Sequence, residues 1–241
     1  MKSSVTSIRC QKMSLWTDLR DFFFPRLCVA CGNRLLSGEE GVCLRCASSL
    51  PYTHLYNKVG NEMEQCFWGR FPIERASSLF YYAKGGTVAR ILYAMKYDGQ
   101  RKLCVKMGEW IGSELLPTGF FDGIDCLLPV PLFRTRERKR GYNQSELLAR
   151  GIAEKTGLPV CRNAIYRLRN NATQTHKSGY SRWLNVQELF CATADAASLA
   201  GKHILLVDDV LTTGATLVAC ADALSAIGNI RISIVTLAWT K

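Results

Sequence analysis

The residues best suited to chemistry lie near the C-terminus. Ile204-Leu-Leu-Val-Asp208-Asp209-Val-Leu-Thr212-Thr213-Gly214-Ala215-Thr216-Leu217 places two adjacent acids after four apolar residues and before hydroxyls grouped around a glycine. Adjacent carboxylates accept hydrogen bonds from sugar hydroxyls, or fill part of a magnesium shell. A Thr-Thr-Gly-Ala-Thr loop opening a helix offers backbone N–H and hydroxyl donors to a phosphate, aided by the helix dipole. Gly214 lets the backbone approach such a group with no Cβ in the way. The local chemistry asks for a phosphorylated sugar. The stretch is not a P-loop, because no lysine follows the glycine, and it is not GxGxxG. An ordinary strand-to-helix turn is the plainer alternative, and the combination of features over fourteen residues argues against it.

A second group is the cysteines. Cys28-x-x-Cys31 and Cys43-x-x-Cys46 are two pairs separated by 11 residues. That spacing suits two knuckles presenting four thiolates to one tetrahedral zinc. Four thiolates leave no open position, so such a zinc is structural, and its binding supplies folding energy to a short, apolar-poor segment. A redox pair or unconnected core cysteines are the alternatives. Cys10, Cys66, Cys104, Cys126, Cys161, Cys191 and Cys220 have no partner at metal spacing and read as small buried hydrophobes or inert thiols.

The third group is basic. Residues 126–182 hold 12 Lys and Arg against 3 Asp and Glu, a net of +9. Its centre is Arg134, Arg136, Arg138, Lys139 and Arg140, followed by Gly141-Tyr142-Asn143-Gln144. Taken alone, a charge run is a solvated loop. This run follows the strand end Pro129-Val130-Pro131, at the same kind of sheet edge as the acidic loop. Arginine forks there match phosphate oxygens, of a diphosphate or of a nucleic-acid backbone. Tyr142, Tyr180 and Trp183 could stack on bases. The polar stretch from Asn170 to Asn185 lacks an apolar period and reads as a lid, with His176 most simply an exposed loop histidine.

These groups need a scaffold. The chain has 241 residues, 48% hydrophobic and 21% charged, with a net charge of +11. That is enough for one or two globular domains, and the charge favours anionic partners. The first twelve residues carry no apolar signal core and no stretch reaches transmembrane length. A soluble, cytoplasmic protein with reduced cysteines is expected. Periodicity predicts a helix over 15–24 stopped by Pro25, a connector over 51–77, and a strand over 78–82. It further predicts a helix through Val88, Ile91, Leu92 and Met95, a helix over about 102–116, and a strand over 126–130. Helix 144–156 has Asn143 as N-cap and Gly157 as its stop. A strand over 204–207, a helix over about 214–227 and a strand over 231–239 complete the order. Alternation of this kind predicts an α/β fold: a parallel sheet flanked by helices over 78–241, behind a small four-cysteine module over 1–50.

The 204–217 stretch resembles the 5-phosphoribosyl-1-pyrophosphate (PRPP) signature of type I phosphoribosyltransferases. The resemblance implies that Thr212, Thr213, Gly214, Ala215 and Thr216 hold the 5′-phosphate. It implies that Asp208 and Asp209 hold the ribose hydroxyls at the catalytic centre. Arg138 and Arg140 would then lie in the pyrophosphate loop. The order of further motifs closely resembles the ComF family. They are the four cysteines, Lys96-Tyr97-Asp98-Gly99, Pro129-Val-Pro-Leu132, Arg140-Gly-Tyr-Asn-Gln144, Gln174, Arg182-x-x-Asn185, Phe190 and the PRPP signature. The likeness runs from about residue 25 to 225, and departs over Ser178 to Trp183, which is less arginine-rich than in many relatives. It implies a PRPP- and Mg2+-binding phosphoribosyltransferase of unspecified acceptor, linked to DNA uptake in natural competence, with structural zinc. The alternative is a non-catalytic single-stranded DNA-binding module on the same scaffold, using Arg134, Arg136, Lys139 and Arg182.

Overall fold

The computed structural model describes residues 25–168 and 189–241. The helix expected over 15–24 and the segment holding Gln174, His176, Tyr180, Arg182 and Trp183 lie outside the described residues.

Four parallel strands form the central sheet, in the order β1-β6-β5-β2. They are β1 Arg75–Tyr81, β2 Cys126–Pro129, β5 His203–Leu211 and β6 Arg231–Trp239. Ile204 to Val207 are fully buried, as a strand covered on both faces must be. Side chains alternate between faces. Leu205 and Val207 join one core with Ile91, Met107 and Leu148, whereas Ile204 and Leu206 join another with Leu217 and Leu224.

The first face carries α3 Thr87–Tyr97, α4 Arg101–Leu115 and α6 Gln144–Thr156; the second carries α7 Ala215–Ser225. The ends of these helices fall close to those expected. Asn143 caps α6, its Oδ1 accepting from Ser145 N at 3.1 Å, and Gly157 ends it in the left-handed conformation. Two glycines let α4 and α6 touch backbone to backbone. A Cβ on Gly108 would lie 2.1 Å from Leu148 O, and one on Gly151 would lie 2.0 Å from Val105 O. A mid-helix glycine costs about 1 kcal/mol of helix propensity, which close packing here offsets.

Three features differ from the sequence expectation. β5 does not end at Val207: it pairs with β6 through Leu211↔Trp239, so both acids lie within the strand. Its pairing with β2 stops at Pro129↔Val207, which opens the sheet beside the acids. The basic run is not a loop but a short helix, α5 Arg134–Arg140, closed by Gly141 in the left-handed conformation. The segment after residue 51 is built into the fold. It holds α2 Glu62–Gln65, buries Met63 and Phe67 completely, and already enters β1 at Arg75. Asn61 secures it: Oδ1 accepts from Met63 N and Glu64 N, and Nδ2 donates to Ala76 O at 2.9 Å.

The cysteine segment contains α1 Leu44–Ala47 and shares the first core, through Ala30, Leu35, Val42 and Leu50. A small antiparallel pair, β3 Ile165–Arg167 and β4 Phe190–Ala192, stands apart from the main sheet. No helix among the described residues is long and apolar enough to cross a membrane.

Candidate functional site

The acids and the threonine loop meet where β5 passes into α7. Gly214 adopts φ +77° and caps α7 without a side-chain hydrogen bond. A Cβ there would lie 3.0 Å from the Phe67 ring, so the loop rests directly on that phenyl group. Arg70 Nη1 donates to Thr213 O at 3.0 Å and ties the loop from the same segment. The result is a cradle of about 30 Å3, lined by Asp208 and by residues 210–217. The first amides of a helix have no partner within it, so this cradle suits an anion.

The two acids are held differently. Asp208 Oδ1 accepts from Ser145 Oγ at 2.9 Å and from Asp209 N at 2.9 Å. Asp209 Oδ2 pairs with Lys96 Nζ at 2.8 Å. Ser145 stands in the first turn of α6, and Asn143 Nδ2 ties that turn to Val130 O at 3.0 Å, just past β2. Burial, and then the neighbouring Asp209 charge, push the Asp208 carboxyl up to about 7, against the hydrogen bonds and the Lys96 charge. A cation or a hydroxyl-bearing ligand at this point would favour the ionised form.

A cleft of about 220 Å3 opens beside the cradle, lined among others by Lys96, Arg136, Arg140, Gln144, Arg167, Asp208, Asp209, Thr212 and Thr216. Arg136 and Arg140, one turn apart on α5, both face it. Arg134 and Arg138 line a different depression with Glu137 and Gly141, and Lys139 is exposed. So Asp208, Asp209, Arg140 and the Thr212–Thr216 loop come together, and Arg138 does not join them. Arg136, expected for nucleic acid, does. Tyr142 is buried, with its hydroxyl donating to Met95 O at 2.7 Å, so it cannot stack on a base.

Sequence reasoning missed Lys96, Ser145, Gln144 and Arg167 as cleft residues, and Arg70 as a support. Lys96 had a signal, since it opens the Lys96-Tyr97-Asp98-Gly99 motif. Arg167 had none.

At the other end, the Sγ atoms of Cys28, Cys31, Cys43 and Cys46 all lie within 4.8 Å of one another. Cys31 and Cys43 Sγ are 3.8 Å apart. The edge of a sulfur tetrahedron around zinc is about 3.8 Å for ordinary Zn–S bonds. Burial and the neighbouring thiols push Cys46 up to about 12. At Cys28 burial acts the same way, but N–H donors from Cys43, Cys31 and Ala30 outweigh it and bring the thiol to about 7. Four thiolates this close need a cation, so the set is compatible with structural zinc. Among the other described cysteines, Cys104, Cys126 and Cys220 are buried, whereas Cys66 is exposed.

Residues 127–241 match the family model of the phosphoribosyl transferase domain. With the parallel sheet and the acid–threonine site, that supports a domain of phosphoribosyltransferase-like fold over this stretch. It is 26% identical to Competence protein F of Haemophilus influenzae, over 88% of this chain and 96% of that one. It is 27% identical to DNA utilization protein YhgH of Escherichia coli O157:H7, over 83% and 91%. It is 37% identical to Competence protein ComFC of Bacillus subtilis, over 38% and 34%. These likenesses support a relation to the ComF family.

Proposed function

We propose that this chain binds PRPP with Mg2+ at the β5–α7 cleft, transfers its phosphoribosyl group, and works in DNA uptake. The observation that supports this best is the meeting of the Asp208–Asp209 pair with the Thr212–Thr216 cradle in one cleft with Arg136 and Arg140. The cradle takes the 5′-phosphate through N–H and hydroxyl donors. Asp208 and Asp209 accept the ribose hydroxyls, and their all-oxygen donor set also fits Mg2+. Mg2+, when bound with PRPP, supplies charge neutralisation at the diphosphate. Arg136 and Arg140 stabilise the negative charge that grows on the diphosphate as the C1–O bond breaks. A nitrogen nucleophile forms the new bond to C1 and loses its proton, and pyrophosphate leaves with the bonding electron pair. Cys28, Cys31, Cys43 and Cys46 hold a zinc whose role is to cross-link their segment. The DNA assignment follows the competence and DNA-utilization names of the relatives.

The test is calorimetric titration of Mg2+-PRPP into the zinc-loaded chain. Micromolar binding is expected, lost on joint substitution Asp208→Asn and Asp209→Asn. Undiminished affinity in that double variant would refute the pocket assignment.

A second reading, direct binding of single-stranded DNA, is compatible with the first. Tyr93 and Tyr97 are exposed, their rings 4.8 Å apart, and the Arg140 guanidinium lies 5.5 Å from the Tyr97 ring centre. Arg134, Arg138 and Lys139 are exposed on α5, the helix that ends with Arg140. Tyr93→Ala with Tyr97→Ala should weaken oligonucleotide binding, while Arg138→Ala with Lys139→Ala should flatten its salt dependence.

A further inference from the structure

The Thr212–Thr216 cradle is held from behind by a segment that lies outside the matched stretch 127–241. Phe67 is completely buried, and its ring stands 3.0 Å from where a Cβ on Gly214 would lie. Three residues on, Arg70 Nη1 donates to Thr213 O at 3.0 Å. The segment is itself anchored to β1. Asn61 Nδ2 donates to Ala76 O, and the buried Glu64 carboxylate accepts from Gly60 N at 2.6 Å and from Ala76 N at 3.3 Å. Among the described residues no carboxylate lies at ion-pair distance from Arg70, so none there cancels its charge.

Thr213 O and Gly214 N belong to one peptide group. In a trans peptide the carbonyl and the N–H point in opposite directions, and the described chain has no cis bond. With Arg70 on the carbonyl side, Gly214 N–H faces away from it. That N–H has no acceptor among the described residues, and Gly214 lines the cradle. A cation that donates to a carbonyl polarises the peptide and makes the N–H at its other end a stronger donor.

We propose that Arg70 is a positioning residue for a sugar monophosphate: it fixes and polarises the Thr213–Gly214 peptide, and Gly214 N–H donates to the phosphate. The proposal rests on the PRPP reading of the cleft. It adds that the 5′-phosphate half of the site is completed from the segment before β1. Arg70 lines neither the cleft nor the cradle. Its influence therefore runs through one peptide, and it reaches the monophosphate and not the diphosphate.

Ribose 5-phosphate and, separately, inorganic pyrophosphate are titrated into the full zinc-loaded chain and two variants. Arg70→Met keeps a long stem and loses the charge. Arg70→Lys keeps a cation able to donate to Thr213 O. Arg70→Met should weaken ribose 5-phosphate by about threefold to tenfold, as befits a partly screened charge acting through one peptide, and leave pyrophosphate unchanged. Arg70→Lys should recover most of the loss. The Gly214 amide resonance should shift when ribose 5-phosphate is added to the parent chain, and shift less in Arg70→Met. Unchanged ribose 5-phosphate affinity in folded Arg70→Met overturns the proposal, as does an equal loss of both ligands. No recovery in Arg70→Lys, or a Gly214 amide that ignores the ligand, overturns it too. If ribose 5-phosphate responds as stated while PRPP affinity survives the Asp208/Asp209 double substitution, the role of Arg70 stands and the ribose assignment fails.

Discussion

Lys96 Nζ, in the last turn of α3, lies 2.8 Å from Asp209 Oδ2 in the middle of the sheet edge. The two side chains are 20% and 12% exposed, so water screens the pair little. The contact joins a helix that follows β1 to the strand that carries the site.

Removing Lys96 leaves a poorly solvated carboxylate next to Asp208. Lys96→Met should cost about 1–3 kcal/mol, between the usual values for surface and buried pairs, and Lys96→Arg should recover much of it. Urea denaturation measures this. An unchanged midpoint in Lys96→Met would show that the pair contributes nothing to stability.

Asp208 makes stability pH-dependent in an unusual direction. Its folded pKa is raised to about 7 by burial and by Asp209. The folded chain therefore keeps a proton that the unfolded chain releases. This contribution is complete below the unfolded carboxylate range, declines as pH rises toward 7, and is gone above it. Asp208→Asn keeps an acceptor for Ser145 and has nothing to ionise. It should be more stable than the parent chain at pH 8, by on the order of 1–3 kcal/mol, and little different at pH 4. A parallel pair of stability–pH curves would contradict the assignment. In the parent chain, Mg2+-PRPP affinity should rise with pH through about 7, as Asp208 ionises.

The four-cysteine cluster should carry one zinc per chain, released by Cys43→Ser. Because Leu35, Val42 and Leu50 share the main core, metal loss should lower the melting temperature of the whole chain. Elemental analysis and calorimetry report the two effects. Full zinc content in Cys43→Ser, or an unshifted melt after chelation, would argue against a structural metal.

Gly151→Ala places a methyl 2.0 Å from Val105 O and 2.6 Å from Glu109 N. Both obstacles are backbone, so the helices must separate. A loss of about 3 kcal/mol is expected, at the upper end for overpacking. As α6 separates from α4, Ser145 moves relative to Asp208, so PRPP affinity should fall with stability. Gly157→Ala, with nothing within 4 Å of its Cβ, should leave the α4–α6 contact intact and suffer only the left-handed backbone cost.

The sequence carried the parts of the site whose signals are local. Asp208, Asp209 and the Thr212–Thr216 loop lie within nine residues, and the strand before them and the helix after them each have a clear apolar pattern. The two Cys-x-x-Cys pairs were legible for the same reason. Helix α6 could be bounded because Asn143 and Gly157 are cap residues with short-range preferences.

The basic run was harder to read. Arg134 to Arg140 contains no apolar residue, so nothing in it marks which face of a helix turns inward. Packing decides that Arg136 and Arg140 meet the cleft while Arg134 and Arg138 turn elsewhere. The same holds for β5, whose extension past the acids depends on pairing with β6.

What the sequence determined by itself is the chemistry on offer: carboxylates and hydroxyls for a phosphosugar, thiolates for a metal, arginines for anions. These follow from residue type and short spacing. Which distant groups complete the site is a matter of packing. Lys96, Ser145 and Arg167 stand about 40 to 110 residues before Asp208, and no local rule joins them to it. The parallel sheet does so, because β2 stops at Pro129, opposite Val207, and leaves Asp208 open to the helices and strands that pack around that edge.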